Sequence, residues 1–359
     1  MATVLDITTL SINPKEPNSF GEFIVEQIVA QPQLKDVVTL RQGVTMGEYI
    51  YKLAQLGLTG VADNGCARPE GGAKAVITEK TRSPKNIGDT FYNCQAEMDN
   101  LFKAYFSKIT NYNQKFDITG SDEEKTIVAL VENAAYQSIL RHGWLGDTAI
   151  AAAGAATAGL VVAGNAKFFN VINGIWKDIF VGVTGGTISK VVIAENALLT
   201  TALQTALAAD RAETIFESIW TLASANLKAD PSAQLLVSGE LFENYRKTMK
   251  KTGANFDISI AQNGLETLMF NGKKVVNMAT VWDIVNRAYL VDNTTNNAYY
   301  LANRAVLTTA ANLDFSTLSE NDLTSIESAY LVKERQNMTS YGFTLDANIV
   351  DDDMIVVAY

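Results

Sequence analysis

Histidine, cysteine and proline are scarce in this chain of 359 residues, which holds one, two and six of them. Each shortage excludes a class of answer. Any Ser-His-Asp or Cys-His nucleophile would need the single histidine, His142. It stands beside Arg141 at the end of a helical stretch, where the ordinary role is a surface residue or a partner of the helix dipole. Cys66 and Cys94 are far apart in sequence, with no C-x-x-C and no second histidine, so no zinc-ligand pattern exists. Two cysteines are no disulfide framework and fit a reducing compartment; both read as packing thiols, with a contact between them left open. Basic residues are outnumbered, 29 Lys and Arg against 39 Asp and Glu, for a net charge of −10. That removes the overall basic footprint of a duplex binder, though not a protein that encloses nucleic acid without gripping it. Long apolar runs are missing too. The most apolar stretch, 149–164, is too short and too rich in Ala and Gly to span a membrane, and reads as a small-residue loop or close-packed helix. No basic segment followed by an apolar core marks the N-terminus, so no secretion signal is expected.

Site motifs are equally thin. GVTGGT at 182–187 lacks the lysine and the spacing of a phosphate loop and reads as a Gly-rich turn. Asp351, Asp352 and Asp353 lack the alternating ligands and the Glu of an EF-hand loop, so a solvated turn is the better reading than a calcium site. Lys250-Lys251 and Lys273-Lys274 are too small for a nucleic-acid patch. No catalytic, cofactor-binding or metal residues are assigned, and a binding or structural protein is expected rather than an enzyme.

What is present is a well-delimited helix at 121–143. Ser121 and Glu124 fit a capping box, Asp122 to Glu124 put negative charge in the first turn, and Gly143 suits the left-handed position after the end. Ile127, Val131, Ala134 and Ala135 recur at helical spacing, widened by Val128, Leu130, Ile139 and Leu140. Such a rod is roughly 30 Å long at 1.5 Å per residue. Before it, residues 1–19, with Pro14 and Pro17, read as an extended arm. FGEFIVEQIVAQ from Phe20 reads as a short helix capped by Ser19, 43–58 as a second short amphipathic segment, and 92–116 as helical. Residues 59–90 are Gly-, Pro- and charge-rich, with one strand-like AVIT at 75–78. A stretch of that length without a core pattern suggests a β-hairpin arm whose partners lie outside its own domain.

After the rod, FFNVINGIWKDI (168–179) carries Asn173-Gly174, a tight-turn signal. Asp210 to Asp230 reads as one helix, with Asp210 and Glu213 as its capping box, Ile215, Phe216, Ile219, Trp220, Ala223 and Leu227 as its face, and Pro231 as its stop. A buried strand at 235–238 and a helix at 239–253, with Leu241, Phe242, Tyr245 and Met249 aligned, follow. Strands then dominate: 258–261 and 265–270 around Gln262-Asn263-Gly264, 273–276 after Asn271-Gly272, and TSYGFTL and DMIVVAY near the end. The class is α+β.

The order of these pieces resembles the major capsid proteins of tailed double-stranded DNA phages, with the Hong Kong 97 type fold. The arm, the charged excursion and the spine-like helix come in the same sequence. LGDTA (145–149) and FNVINGIW (169–176) look like its post-spine segment. LLVSGELFENYRKTMK (235–250), LMFNGKKVVNMATV (268–281) and NAYYLANRAVLTTAANLDF (297–315) look like its axial domain, and VKERQNMTSYGF (332–343) like its return strand. CARPEGGAKAVITEK and YNCQAEMDNLF look most like capsid proteins of phages of Bacteroidetes-type hosts. The resemblance implies an N-terminal arm with a short helix over 1–47, an extended E-loop with flanking segments over 48–118, and a peripheral domain over 119–180. It implies an axial domain over 181–319 and return strands of the peripheral domain over 320–359. It also implies a shell of hexamers and pentamers that encloses the genome, with portal, scaffold or decoration proteins as further partners, no membrane, and a place in the virion after assembly in the host cytoplasm. The alternative within the fold is an encapsulin-type nanocompartment shell, and outside it an intracellular enzyme with an atypical site. Lys74, Lys80 and Lys85, with Asn337 and Asn348, are the residue types some relatives cross-link, but nothing pairs them, and solvated or salt-bridging roles are expected.

Overall fold

A computed structural model describes residues 36–53, 77–94, 122–150, 163–198, 200–251, 259–260, 266–283, 301–319 and 326–359. The arm at 1–19, the helix from Phe20, Cys66, Lys74, Ser121 and the helical segment after Cys94 lie outside them. In chain order the elements are β1 Thr39–Arg41, β2 Tyr49–Leu53, β3 Ile77–Thr81, β4 Lys85–Cys94, α1 Asp122–Leu145, α2 Ile175–Gly185 and β5 Ser189–Val191. Then come α3 Thr201–Thr205, α4 Arg211–Leu222, α5 Ala225–Ala229, β6 Ala233–Val237, α6 Gly239–Lys251, β7 Ser259–Ile260, β8 Glu266–Phe270 and β9 Lys273–Asn277. β10 Ala305–Thr309, β11 Leu313–Ser316, β12 Ile326–Leu331, β13 Gln336–Ile349 and β14 Ile355–Ala358 complete them.

Two sheets organise the body. The larger runs β5-β14-β10-β6-β9-β8-β7. β6, β10 and β14 are buried at every position, because both faces of this sheet are covered and its strands need continuous apolar runs. One face carries Leu236, Val276, Val306, Ile355 and Val357 into a core with Trp144, Trp176, Trp282 and Phe315. The rings of Trp144 and Trp176 meet Trp282 edge-on, at centroid distances of 5.3 and 5.4 Å. The other face carries Leu235, Val237, Leu307 and Val356 into a second core beneath α4 and α6. In the smaller sheet the long strand β13 is central. Its first part lies between β12 and β4, and its last residues pair with β11, which pairs with β1 in turn. α1 packs on β13.

Several expectations need correction. α1 continues through Gly143 to Leu145. Gly143 is therefore not a left-handed terminus; a Cβ there would drive into the ring of Phe315, which is fully buried. Of the expected face Ile127, Val131, Ala135, Ile139 and Leu140 are buried, whereas Ala134 is exposed. The described part of the amphipathic segment 43–58 contains β2, whose Tyr-Ile-Tyr alternation suits a strand. Asn173-Gly174 makes no tight turn. Gly174 is the extended residue before α2, and the Asn173 side chain accepts from the Thr148 N–H and hydroxyl. GVTGGT is the end of α2, closed by Gly186 at φ 75°.

The 210–230 helix is two helices. Ser224 takes the N-cap of α5, accepting from the Leu227 N–H at 3.2 Å, as a serine does when it competes with helical bonding. Asp210 does not cap α4; its backbone is left-handed at φ 62° and its carboxylate meets Lys251 at 3.0 Å. At the end of the chain β11 joins the smaller sheet, and β14, apolar throughout, lies between β5 and β10 in the larger one. Asn271-Gly272 does form the expected tight turn, with both residues at positive φ, 47° and 75°.

Candidate functional site

The residues that suggested chemistry are drawn into the framework. His142 is only 2% exposed, so it is neither a surface residue nor a dipole partner. Its Nδ1 lies 2.8 Å from the Ser138 carbonyl, one turn back, which makes Nδ1 the protonated nitrogen. Nε2 is buried without a hydrogen-bond partner. Burial, reinforced by neighbouring Arg141, pushes the imidazole down to about 4. It is a neutral core group; the Ser138 hydroxyl also lies 3.2 Å from Nδ1, the nitrogen whose N–H donates to the Ser138 carbonyl. A polar groove of about 610 Å³ on the β12-β13-β4 sheet is lined by Gly88, Asp89, Thr90, Glu327, Ser340, Tyr341 and Gly342, so two carboxylates stand beside its hydroxyls. Among the described residues no group of His, Cys, Asp and Glu is arranged to hold a metal, and no helix is long and apolar enough to cross a membrane.

The notable constellation stands where β2 and β3 leave the body. Among the described residues these two strands pair only with each other, antiparallel, with Tyr49 opposite Thr81 and Tyr51 opposite Glu79. Because successive side chains alternate, the ribbon has two unlike faces. The inward face holds Ile50, Lys52 and Lys80. Ile50 is buried. Lys52 Nζ reaches Asp351 at 2.5 Å and Asp353 at 2.7 Å. Lys80 Nζ reaches Asp352 at 2.6 Å and donates to the Ile349 carbonyl at 2.7 Å. The outward face holds Tyr49, Tyr51, Ile77 and Glu79. Tyr51 and Ile77 are each 65% exposed, and the two tyrosine rings stack at 5.8 Å. Thus the acidic triplet is a docking turn for the ribbon rather than a solvated loop, and Lys80 is an ion-pairing residue.

Below the lysines the attachment centres on a buried pair, Arg82 and Asp314. Arg82 is held by Asp314 at 2.7 Å and by Glu48 at 2.8 Å, and Arg41 reaches the other oxygen of Asp314 at 2.9 Å. Ser83 donates its N–H to Asp346. Burial raises the Asp346 carboxyl, against the pull of the Ser83 N–H and Asn348. Burial depresses the Lys52 ammonium, yet hydrogen bonds to Asp351 and Asp353 outweigh it and leave the group above the ordinary lysine range. Asp178 on α2 lies beneath the same turn. Burial pushes it up to about 7, Lys80 favours its ionised form, and Asp346 and Asp352 disfavour it.

Sequence reasoning named the acidic triplet and Lys80 but not their meeting, and missed Lys52, Arg82, Asp178 and Asp314. The available signal was the Tyr-x-Tyr alternation of β2, which places Lys52 on the face opposite both rings. Of the residues weighed for cross-linking, Asn337 is buried within β13 and Asn348 donates to Asp346.

No family model and no curated protein matches the chain. Solved structures do. The capsid of an empty GTA particle aligns at TM-score 0.52 with 11% identity, over 97% of this chain and 94% of that one. Mycobacterium phage Ogopogo aligns at 0.51 with 13% identity over 92% of each chain. The capsid of Myoviridae phage XM1 aligns at 0.51 with 10% identity, over 96% and 95%. At such identities the likeness is one of fold: this chain has the α+β fold of phage capsid chains, the Hong Kong 97 type. The matches give no support to a particular host.

Proposed function

We propose that the chain is the major capsid protein of a tailed double-stranded DNA phage, a structural subunit rather than an enzyme. The observation that carries this is the end-to-end likeness to capsid chains, which leaves no large part of the sequence over for another task. Copies would close into hexamers and pentamers and these into a shell, with heterologous contacts closing each ring. The two-faced ribbon fits such a subunit. It is fixed to its own body on one side and turns tyrosine and isoleucine outward on the other, where an adjacent copy would cover them. Many modest contacts of this kind add through multivalency. The net charge of −10 suits a wall along which packed DNA slides rather than sticks. Portal, scaffold and decoration proteins would be further partners, with assembly in the host cytoplasm and residence in the virion. The named neighbours are phage capsids, which favours this reading over an encapsulin-type shell; DNA rather than enzyme cargo inside purified particles distinguishes the two.

Negative-stain microscopy of the purified protein tests the proposal directly, and absence of closed particles under all assembly conditions would count against it. A deletion test has to respect the fold, because removing 66–88 would cut β3 and the start of β4, with its core residue Ile87. The sharper variant is Tyr51→Ser with Ile77→Ser. It should leave circular dichroism and thermal stability unchanged and abolish or strongly reduce particles; normal particle yield would remove the ribbon from the interface.

A further inference from the structure

One face of the β12-β13-β4 sheet carries a notch. Thr90, Ser340 and Glu327 stand side by side across the three strands, since Ser340 is opposite both of the others. Beside that row Gly88 lies opposite Gly342, so the face drops to bare backbone there. The row and the two glycines line the polar groove of about 610 Å³. Alternation puts Ser340 and Gly342 on the side of β13 opposite the buried Asn337, Thr339 and Phe343. The two glycines are not equivalent. A Cβ on Gly88 would come within 2.7 Å of the Tyr341 carbonyl, so its own sheet requires glycine. A Cβ on Gly342 would meet only the Ile87 carbonyl, at 4.0 Å, and Gly342 is not among the residues at positive φ. Neither space nor backbone within the described residues calls for glycine at 342. Bare backbone in a strand interior then marks a place where another chain comes close.

We propose that this notch receives the tip of the β12-β13 hairpin of a second copy, with Lys333 of the incoming tip paired to Glu327 and Val332 laid over Gly342. The tip complements the notch in charge and shape. Lys333 and Arg335 flank Glu334 in an exposed turn, which Arg335 closes with left-handed backbone at φ 51°. Val332, at 75% exposure, is the most exposed large apolar side chain among the described residues. Among those residues neither Lys333 nor Glu327 has an ion-pair partner. The tip does not reach the notch of its own sheet, because the strand from Glu327 to Lys333 spans about 20 Å at its usual rise. The contact is therefore heterologous, the tip of one copy in the notch of the next, which is the kind that closes rings. It rests on the reading of the chain as a self-assembling shell subunit and names one of the contacts that reading needs.

Carbodiimide coupling of mixed isotopically heavy and light full-length chains, read by mass spectrometry, tests this. The reagent joins an ammonium to a carboxylate already in contact with it, and the expected product is Lys333 of one copy linked to Glu327 of another. Particles that form without this link, or with Glu327 linked to a different lysine, would overturn the contact and leave the capsid reading standing. Smaller oligomers that carry the link would uphold the contact and count against the capsid reading, and a chain that stays monomeric under all assembly conditions would overturn both. Lys333→Glu and Glu327→Lys should each weaken self-association about tenfold by bringing like charges together, and the double reversal should recover most of the loss. A double reversal no better than the single ones would overturn the pairing. Gly342→Val fills the notch with a side chain that suits a strand, so the urea midpoint should stay the same or rise. Association should nevertheless fall, and unchanged association in that variant would overturn the proposal.

Discussion

His142 shows how an isolated residue misleads when read without its neighbours. The helix that carries it turns it inward, to donate from Nδ1 to the Ser138 carbonyl and leave Nε2 dry. The consequence for stability has a definite sign. The folded imidazole resists protonation until about pH 4, whereas in the unfolded chain it accepts a proton near 6.5. The contribution is therefore complete above pH 6.5 and is lost as pH falls towards 4, by on the order of 3 kcal/mol. Urea denaturation at pH 7 and pH 4.5 should show a steeper acid loss in the wild type than in His142→Gln, since the other titrating groups are common to both. Equal slopes would mean that the ring charges freely in the native state. Gly143, next to it, illustrates a second residue-scale lesson. Glycine after a helical run suggested a terminus, but the helix needs it for a different reason, the close approach of Phe315.

Among the elements, the ribbon and its root set the character of the molecule. Asp314 is fully buried between two guanidinium groups, one of which, Arg82, is itself buried. Removing only the acid strands a charge in the interior, so Asp314→Ala should cost about 3–5 kcal/mol in urea denaturation. Adding Arg82→Met should restore a large part of that loss, because the stranded charge goes with it. An additive double variant would show that the two residues do not act as a pair. Little of this root was legible in the sequence. Helices with one apolar face, such as α1 and α6, and turns with a strong chemical signature, such as Asn271-Gly272, follow from local rules and were readable. Ion pairs between β3 and residues some 270 positions away follow from none. The break at Ser224 was readable in principle, but the apolar spacing on either side runs through it and masks it.

For the molecule as a whole, the sheet buried on both faces is decisive. The strand order places β6, β10 and β14 between two cores, so neither core keeps its wall if the sheet is lost. The described structure should unfold as one cooperative unit. Trp144, Trp176 and Trp282 belong to one core, and Trp220 packs against the other. In Trp220→Phe, indole emission reports the first core alone, and its urea midpoint should coincide with that of far-ultraviolet circular dichroism; separate midpoints would mean two independently folding halves. The α+β class was readable from the order of helices and strands. Which sheet β11 and β14 join was not, because a four-residue strand carries no label for the sheet it will join.

The ten register pairs between β4 and β13, from Cys94 opposite Gln336 to Lys85 opposite Leu345, have a mechanical meaning. β4 begins three residues after β3, so a pull on the ribbon is passed to the end of β4. The ladder's hydrogen bonds run perpendicular to the strands, and a load along the strand is shared by all of them at once rather than opening them one after another. The ribbon is thus anchored like a lap joint rather than a zipper, and is hard to tear out.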